Sequence, residues 1–233
     1  MAWGAKIRLA YSPADAKYAF VFLLAFEIVL VIGYCVVHII APYVKWGPIK
    51  PLIDLNLDVA IPAWFSTIQL FAISVLLFIS AGACDRLRRY LIIFGFGFMF
   101  LSMDEAAAIH EKIIDTAKRL DWHWLLSLTL NGSHRAWMIP YAIVGVFVIA
   151  ICYRFFALAW RDFYREGLIV ATGLAVFAIG GVGFELIGFH FEDHPSDAPY
   201  AWAVAAEEFF EMAGMTVVLY GILLFGIKAP FDP

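Results

Sequence analysis

The sequence predicts an all-α polytopic membrane protein, a bundle of six transmembrane helices with one short interfacial helix on its outer side. Three observations predict this class. Hydrophobic residues make up 64% of the 233 positions and charged residues only 15%, where a soluble domain has about 25% charged residues. Several apolar runs approach or exceed the roughly 18 residues that mark a membrane-crossing helix. Antiparallel helices drawn on those runs fill nearly all of the length, so residues 1–233 read as a single integral membrane domain.

The first span covers about residues 17–43, with Ser12-Pro13-Ala14-Asp15 as its start signal. Lys6, Arg8 and Lys17 precede its apolar stretch and no small-x-small cleavage site follows, which reads as an uncleaved first helix. The second span covers about 61–83, and the third, about 90–110, starts after Arg88-Arg89 and reaches His110. Beyond it, Ile113, Ile114, Ala117, Leu120, Trp124, Leu125 and Leu128 recur at helical spacing. That pattern predicts a helix that continues out of the third span and lies along the outer surface, with Trp122 and Trp124 at the interface. Asn131-Gly132-Ser133 turns the chain into the fourth span, about 136–157. The fifth, about 167–189, carries Gly173, Gly180, Gly181, Gly183 and Gly188, which predicts close helix packing. The sixth, about 199–227, follows Ser196-Asp197-Ala198-Pro199.

Orientation follows from Lys and Arg in the connections. The N-terminal segment, the second-to-third and fourth-to-fifth connections and the C-terminal tail hold ten, and the opposite side holds six. The sequence therefore predicts a multi-pass protein of the cell membrane with both termini cytoplasmic. Nothing resembles a basic nucleic-acid surface. Cys35, Cys84 and Cys152 are far apart, without C-x-x-C or metal spacing, and read as apolar packing residues. No P-loop, dinucleotide fingerprint or G-x-S-x-G is present.

Chemistry concentrates in two acidic stretches. One is Asp104-Glu105-Ala106-Ala107-Ala108-Ile109-His110-Glu111 at the end of the third span; the other is Glu207-Glu208-Phe209-Phe210-Glu211 in the sixth. Ionisable groups at membrane depth are rare and mark function by default. At about 1.5 Å per residue, Asp104 lies about 10 Å and Glu211 about 13 Å below the outer face of a 30 Å core. Glu185 on the fifth span lies near the same level, all six histidines fall in the outer half or outer connections, and Glu27 stands alone in the inner half. In a continuous helix Asp104 and Glu111, seven apart, share a face. Glu207, Glu208 and Glu211 line one broad face, where like charges repel and need a cation, a shared proton or a basic partner.

The leading expectation is a metal-dependent membrane enzyme, a hydrolase or oxidase. Asp104, Glu105, His110, Glu185, Glu208 and Glu211 are the candidate ligands of one or two divalent ions such as Fe, Mn or Zn. Glu111 or Glu207 would be the general base that activates a metal-bound water. A lipid-like or hydrophobic substrate would reach this outward-facing site from the bilayer. The Glu105-x4-His110 and Glu185-x4-His190 spacings match only in part the Glu-x-x-His of di-metal bundles. Two alternatives carry different chemistry. One is a cation or proton transporter whose acids are protonated or half-protonated, and the other is a non-catalytic subunit of a larger membrane assembly or homo-oligomer.

Overall fold

The structure is a computed structural model that describes residues 10–122, 138–188, 191 and 198–228; the side chains of residues 111, 114, 115, 117, 138, 139 and 185 lie outside the described set. Helix α1 spans Pro13–Tyr34 and continues as a π-helical stretch, Cys35–Ile40. The expected start signal acts as a reciprocal cap. The Ser12 hydroxyl accepts from the Asp15 amide at 3.2 Å, and Asp15 Oδ2 accepts from the Ser12 amide at 2.8 Å, satisfying amides that the helix itself leaves orphaned. The short α2 is Ile49–Leu52, α3 is Ile61–Ala83 and α4 is Arg88–Ala107. Then come α5, Ile109–Arg119, α6, Met138–Ile151, and α7, Tyr153–Asp162. Helix α8, Tyr164–Ala178, passes through a second π-helical stretch, Ile179–Phe184, into the short α9, Glu185–Gly188, and α10 is Ala198–Lys228. No strand occurs among the described residues.

The chain is a polytopic helical membrane bundle. Five helical stretches are long and apolar enough to cross a membrane: Pro13–Ile40, Ile61–Ala83, Arg88–Ala107, Tyr164–Gly188 and Ala198–Lys228. The fourth span departs from the continuous helix expected over 136–157. Its helix breaks at Cys152, and Pro140–Ile151 and Tyr153–Asp162 are bent by 61°. The 14 residues of α6 give a rise of only about 21 Å, less than a 30 Å core. After the bend, α7 carries Tyr153, Arg154, Trp160 and Arg161 together, an amphipathic mixture that suits a membrane boundary better than its interior.

Helix ends of like chemistry meet at each end of the bundle. At the arginine end, Arg86 joins Asp162 at 2.7 Å, Lys228 joins Glu166 at 3.0 Å, and the Tyr11 hydroxyl donates to Leu223 O at 2.8 Å. Helices α3 and α4 form an antiparallel hairpin in register, with Ser74 Oγ donating to Gly95 O at 2.8 Å and Ser102 Oγ to Thr67 O at 2.9 Å. Helix α10 is the hub, packed on α1, α3, α8 and both π-helical stretches. Its contact with α8 is a backbone contact: a Cβ at Gly214 would stand 2.5 Å from Phe177 N and 2.8 Å from Gly173 O, and one at Gly173 would stand 2.6 Å from Gly214 O. The glycines of the fifth span thus serve the close packing their number suggests.

Two apolar clusters fill the interior. One, toward the arginine end, includes Ile73, Leu77, Leu91, Val218 and Ile222. The other, toward the opposite end, includes Leu30, Tyr34, Phe65, Val204 and Met212. Between them lies a polar layer: Gln69 Nε2 donates to Glu27 Oε1 at 2.8 Å and to Thr216 Oγ1 at 2.7 Å, and Thr216 Oγ1 donates to Glu27 Oε1 at 2.5 Å. Glu27 is therefore not isolated, as its solitary place in an apolar run suggests. Three helices each supply one polar group at one level, and only the fold brings them together.

A second departure lies at the end of α4. The third span does not run unbroken into the surface helix, because Ala108 turns left-handed (φ 46°, ψ 49°) and separates α4 from α5. Asp104, 7% exposed, holds the break: its Oδ1 accepts from the His110 amide at 2.8 Å and lies 3.2 Å from His110 Nδ1. Lys112 Nζ donates to Ala107 O, one of the carbonyls that α4 leaves open. The surface helix ends at Arg119, and the expected contributions of Trp124, Leu125 and Leu128 lie outside the described residues.

Gly214→Ala is expected to lower stability by about 1–3 kcal/mol through overpacking. Gly97→Ala, whose Cβ would meet nothing within 4 Å, is expected to leave stability unchanged or raise it by up to about 1 kcal/mol. Thermal unfolding in detergent compares the two directly. Asp104→Ala should remove a capping acceptor worth about 1 kcal/mol. Hydrogen–deuterium exchange should then quicken roughly fivefold across residues 109–112, and less in Asp104→Asn, which keeps an acceptor oxygen.

Candidate functional site

The acids gather at the end of the bundle opposite the arginines. Helical register fixes their level. Ser102 is bonded to Thr67 and Gln69 to Thr216, so at 1.5 Å per residue Asp104 and Glu211 both lie only about 5 Å from the level of Ile61, where α3 begins. Glu208 lies about level with Ile61 itself. Helix α10 has 31 residues, about 46 Å, and is longer than a 30 Å core.

Glu208 stands at the centre of the group. It feels the charges of Glu211, Glu105, Glu207 and Asp58, in that order of strength, and its own charge reaches Tyr34 on α1. Glu105 in turn feels His110, Asp104 and Asp58. The two acidic stretches, about a hundred residues apart in sequence, thus lie within electrostatic reach of each other between α4 and α10. Glu105, Glu207, Glu208 and Glu211 are all half-buried. The break at Ala108 draws His110 into this group. In an unbroken helix a residue six positions on would sit about 9 Å further along and 240° round from Asp104, whereas here its ring nitrogen is 3.2 Å from that carboxylate. The Tyr141 hydroxyl of α6 approaches the same carboxylate.

The shared face expected for Asp104 and Glu111 depends on the continuous helix that Ala108 interrupts. The side chains of Glu111 and Glu185 lie outside the described residues, as does all of His190. Glu211 packs against the second π-helical stretch. A Cβ at Gly180 would stand 2.8 Å from Glu211 Cγ and 2.9 Å from Glu207 O, and a Cβ at Gly181 would collide with Glu211 Oε1. The wall there is bare backbone because Glu211 takes the space of two side chains.

Several members of this end were not singled out by spacing. Asp58 belongs to the connection before α3, where an acid reads as a solvated loop charge. Asp54 lies 3.6 Å from His38 Nε2, and the His38 ring stacks on Tyr34 at 4.5 Å and 18°. His38 sits in the first π-helical stretch. Both π-helical stretches and the left-handed Ala108 therefore occur around this one end, and π-helical turns are frequent at functional sites. A histidine inside an apolar helix was the only available signal for this part, and the altered winding has none.

The donor set consists of carboxylate oxygens and imidazole nitrogens, chemistry that can bind protons or hard and borderline cations. Among the described residues, no group of three or more His, Cys, Asp or Glu is arranged to hold a metal ion. The ion pairs between basic side chains and carboxylates described at the opposite end leave those arginines engaged elsewhere: Arg86 and Arg161 with Asp162, Arg88 with Asp85, and Lys228 with Glu166.

Comparison with curated proteins and with solved structures gives no match. Residues 21–225 match the family described as "Domain of unknown function (DUF8692)". That stretch runs from within α1 to near the end of α10 and includes every acid of the candidate site, so the chain belongs to the DUF8692 family.

Proposed function

We propose that this protein is a membrane-embedded, metal-dependent enzyme, a hydrolase or oxidase acting on a lipid-like or hydrophobic substrate, with its acidic end outward and both termini cytoplasmic. The observation that carries the reading is the meeting of Glu105, Glu208 and Asp58 from three separate segments, with Glu211 behind them. Like charges within electrostatic reach of one another, Glu105, Glu208 and Glu211 half-buried and Asp58 exposed, repel unless something positive lies among them. A divalent ion meets that requirement with the donors present.

The Asp104–His110 pair gives the second support. A carboxylate against Nδ1 fixes the imidazole tautomer and leaves Nε2 as the lone-pair nitrogen, the arrangement typical of metal-bound histidine. In this reading Asp104 orients His110 and does not itself bind the ion. Glu105, Glu208, Glu211 and His110 supply the ligands. Because the described side chains do not close a ligand set on their own, Glu111 and Glu185 are the residues assigned to complete it. A bound divalent ion would acidify a water and polarise an ester or related group. Glu207 or Glu111 would take the proton of that water, and packing on Gly180 and Gly181 of the second π-helical stretch limits the movement of the Glu211 carboxylate. The level of the site, near the start of α3, matches the polar boundary of a bilayer, where the head-group linkages of a lipid lie.

Elemental analysis of detergent-purified protein is expected to find near-stoichiometric Fe, Mn or Zn in wild type and little in Glu208→Gln or Glu105→Gln. A chelator should lower the wild-type melting temperature, since a ligand at about 100 times its Kd stabilises by about 2.7 kcal/mol. Metal-free wild type that melts identically with and without chelator would sink the reading. Orientation has its own test, made simple because Cys35, Cys84 and Cys152 are buried. A membrane-impermeant maleimide should label Val59→Cys in intact cells and Arg88→Cys only after lysis; the reverse pattern inverts the topology.

A further inference from the structure

The polar layer between the two apolar clusters lies about 12 Å below the level of Glu208, counted along α10 from Glu208 to Thr216. It is sealed: Glu27 and Thr216 are 0% exposed and Gln69 is 2% exposed. Both described donors converge on one oxygen, Glu27 Oε1. The other carboxylate oxygen, Oε2, and the amide oxygen of Gln69 are buried without a hydrogen-bond partner among the described residues. Nor does a charged side chain of the described residues act on Glu27; only its burial and the bonds from Thr216 and Gln69 do.

A carboxylate oxygen buried without a donor is among the least tolerable groups in a protein interior, and more so at membrane depth. Two neutral donors on Oε1 cannot balance a full negative charge. Something positive on Oε2 can. The donor set fixes its valence: one carboxylate, one amide oxygen and one hydroxyl carry a single negative charge, which suits a monovalent ion and falls short of the several carboxylates that divalent sites use. We propose that Glu27 binds one monovalent cation, a proton or a sodium ion, on Oε2 at mid-membrane, within walls formed by Gln69 and Thr216.

Glu208, Met212 and Thr216 are spaced four apart and so share one helical face of α10, with the buried Met212 between the acidic end and the layer, and Gln69 Nε2 is 3.5 Å from the Met212 carbonyl. The titratable groups nearest this layer along its elements are Tyr34 on α1 and, on α10, Glu208, Glu211 and Tyr220, whose ring packs on Phe20 of α1 at 5.1 Å; on α3 the nearest polar groups are the hydroxyls of Ser66 and Ser74. The inference does not depend on a metal at the acidic end.

Two measurements on the full chain in detergent test it. In the first, melting temperature is followed as sodium replaces choline at constant ionic strength, with a chelator present throughout. In the second, infrared difference spectra between acid and neutral pH are searched for the carbonyl stretch of a protonated carboxylic acid. Bound sodium predicts a saturable rise in melting temperature that Glu27→Gln lacks. A bound proton predicts the carboxylic-acid band in wild type and its loss in Glu27→Gln. If Glu27→Gln does not fold, Thr216→Val keeps the carboxylate and removes one wall. It should raise the half-saturating sodium concentration about tenfold, the effect of losing one good hydrogen-bonding partner, or shift the band. Absence of both the sodium effect and the band in wild type, or their persistence unchanged in the variants, overturns the proposal.

Discussion

The contact on which the rest depends is the backbone approach of α8 and α10. Gly173 and Gly214 lie so close that a methyl group on either would overlap the opposite main chain. In a bilayer, lipid tails are as apolar as leucine, so association draws on dispersion and close fit more than on expulsion of water. Glycine faces let two helices come within reach of such fit. The same approach continues to Gly180 and Gly181, where the space saved is filled by the side chain of Glu211. Packing and chemistry are therefore one arrangement: the helix pair is close because its glycines are bare, and an acid is held where one of them is bare.

Much of the bundle was legible in the sequence, for physical reasons. A membrane crossing demands a long apolar run, and Ile61–Ala83 and Ala198–Lys228 follow the predicted limits within a residue or two. Ser12 and Asp15 carry their capping chemistry in their identities. The meeting of the two acidic stretches was legible too, because an antiparallel fold with a fixed rise sets levels from counting alone.

The rest was hidden because it depends on backbone geometry without a residue signature. Ala108 is left-handed, yet alanine is the strongest helix former, and a left-handed turn there is paid for by Asp104 and the contacts of α5. Cys152 interrupts a run that hydropathy reads as continuous. Gln69 and Thr216 look like ordinary polar residues of apolar helices until the fold places them on Glu27. Asp58, in a connection, becomes part of a site only because α3 starts beside Glu208. Each miss is a case of tertiary context deciding what local pattern leaves open.

The π-helical stretches Cys35–Ile40 and Ile179–Phe184 have a bearing on how the chain tolerates change in length. Each holds the equivalent of one added residue that the helix absorbs by widening a turn. Since every residue of an α-helix turns the chain by about 100°, excising one residue from ordinary helix would swing the positions beyond it by that angle, whereas excising one from Ile179–Phe184 would restore ordinary winding and leave the positions beyond it, Glu185 included, close to their present phase. These two places are therefore buffers of phase: losing one residue there spares both the end of the bundle beyond and the glycine-packed middle.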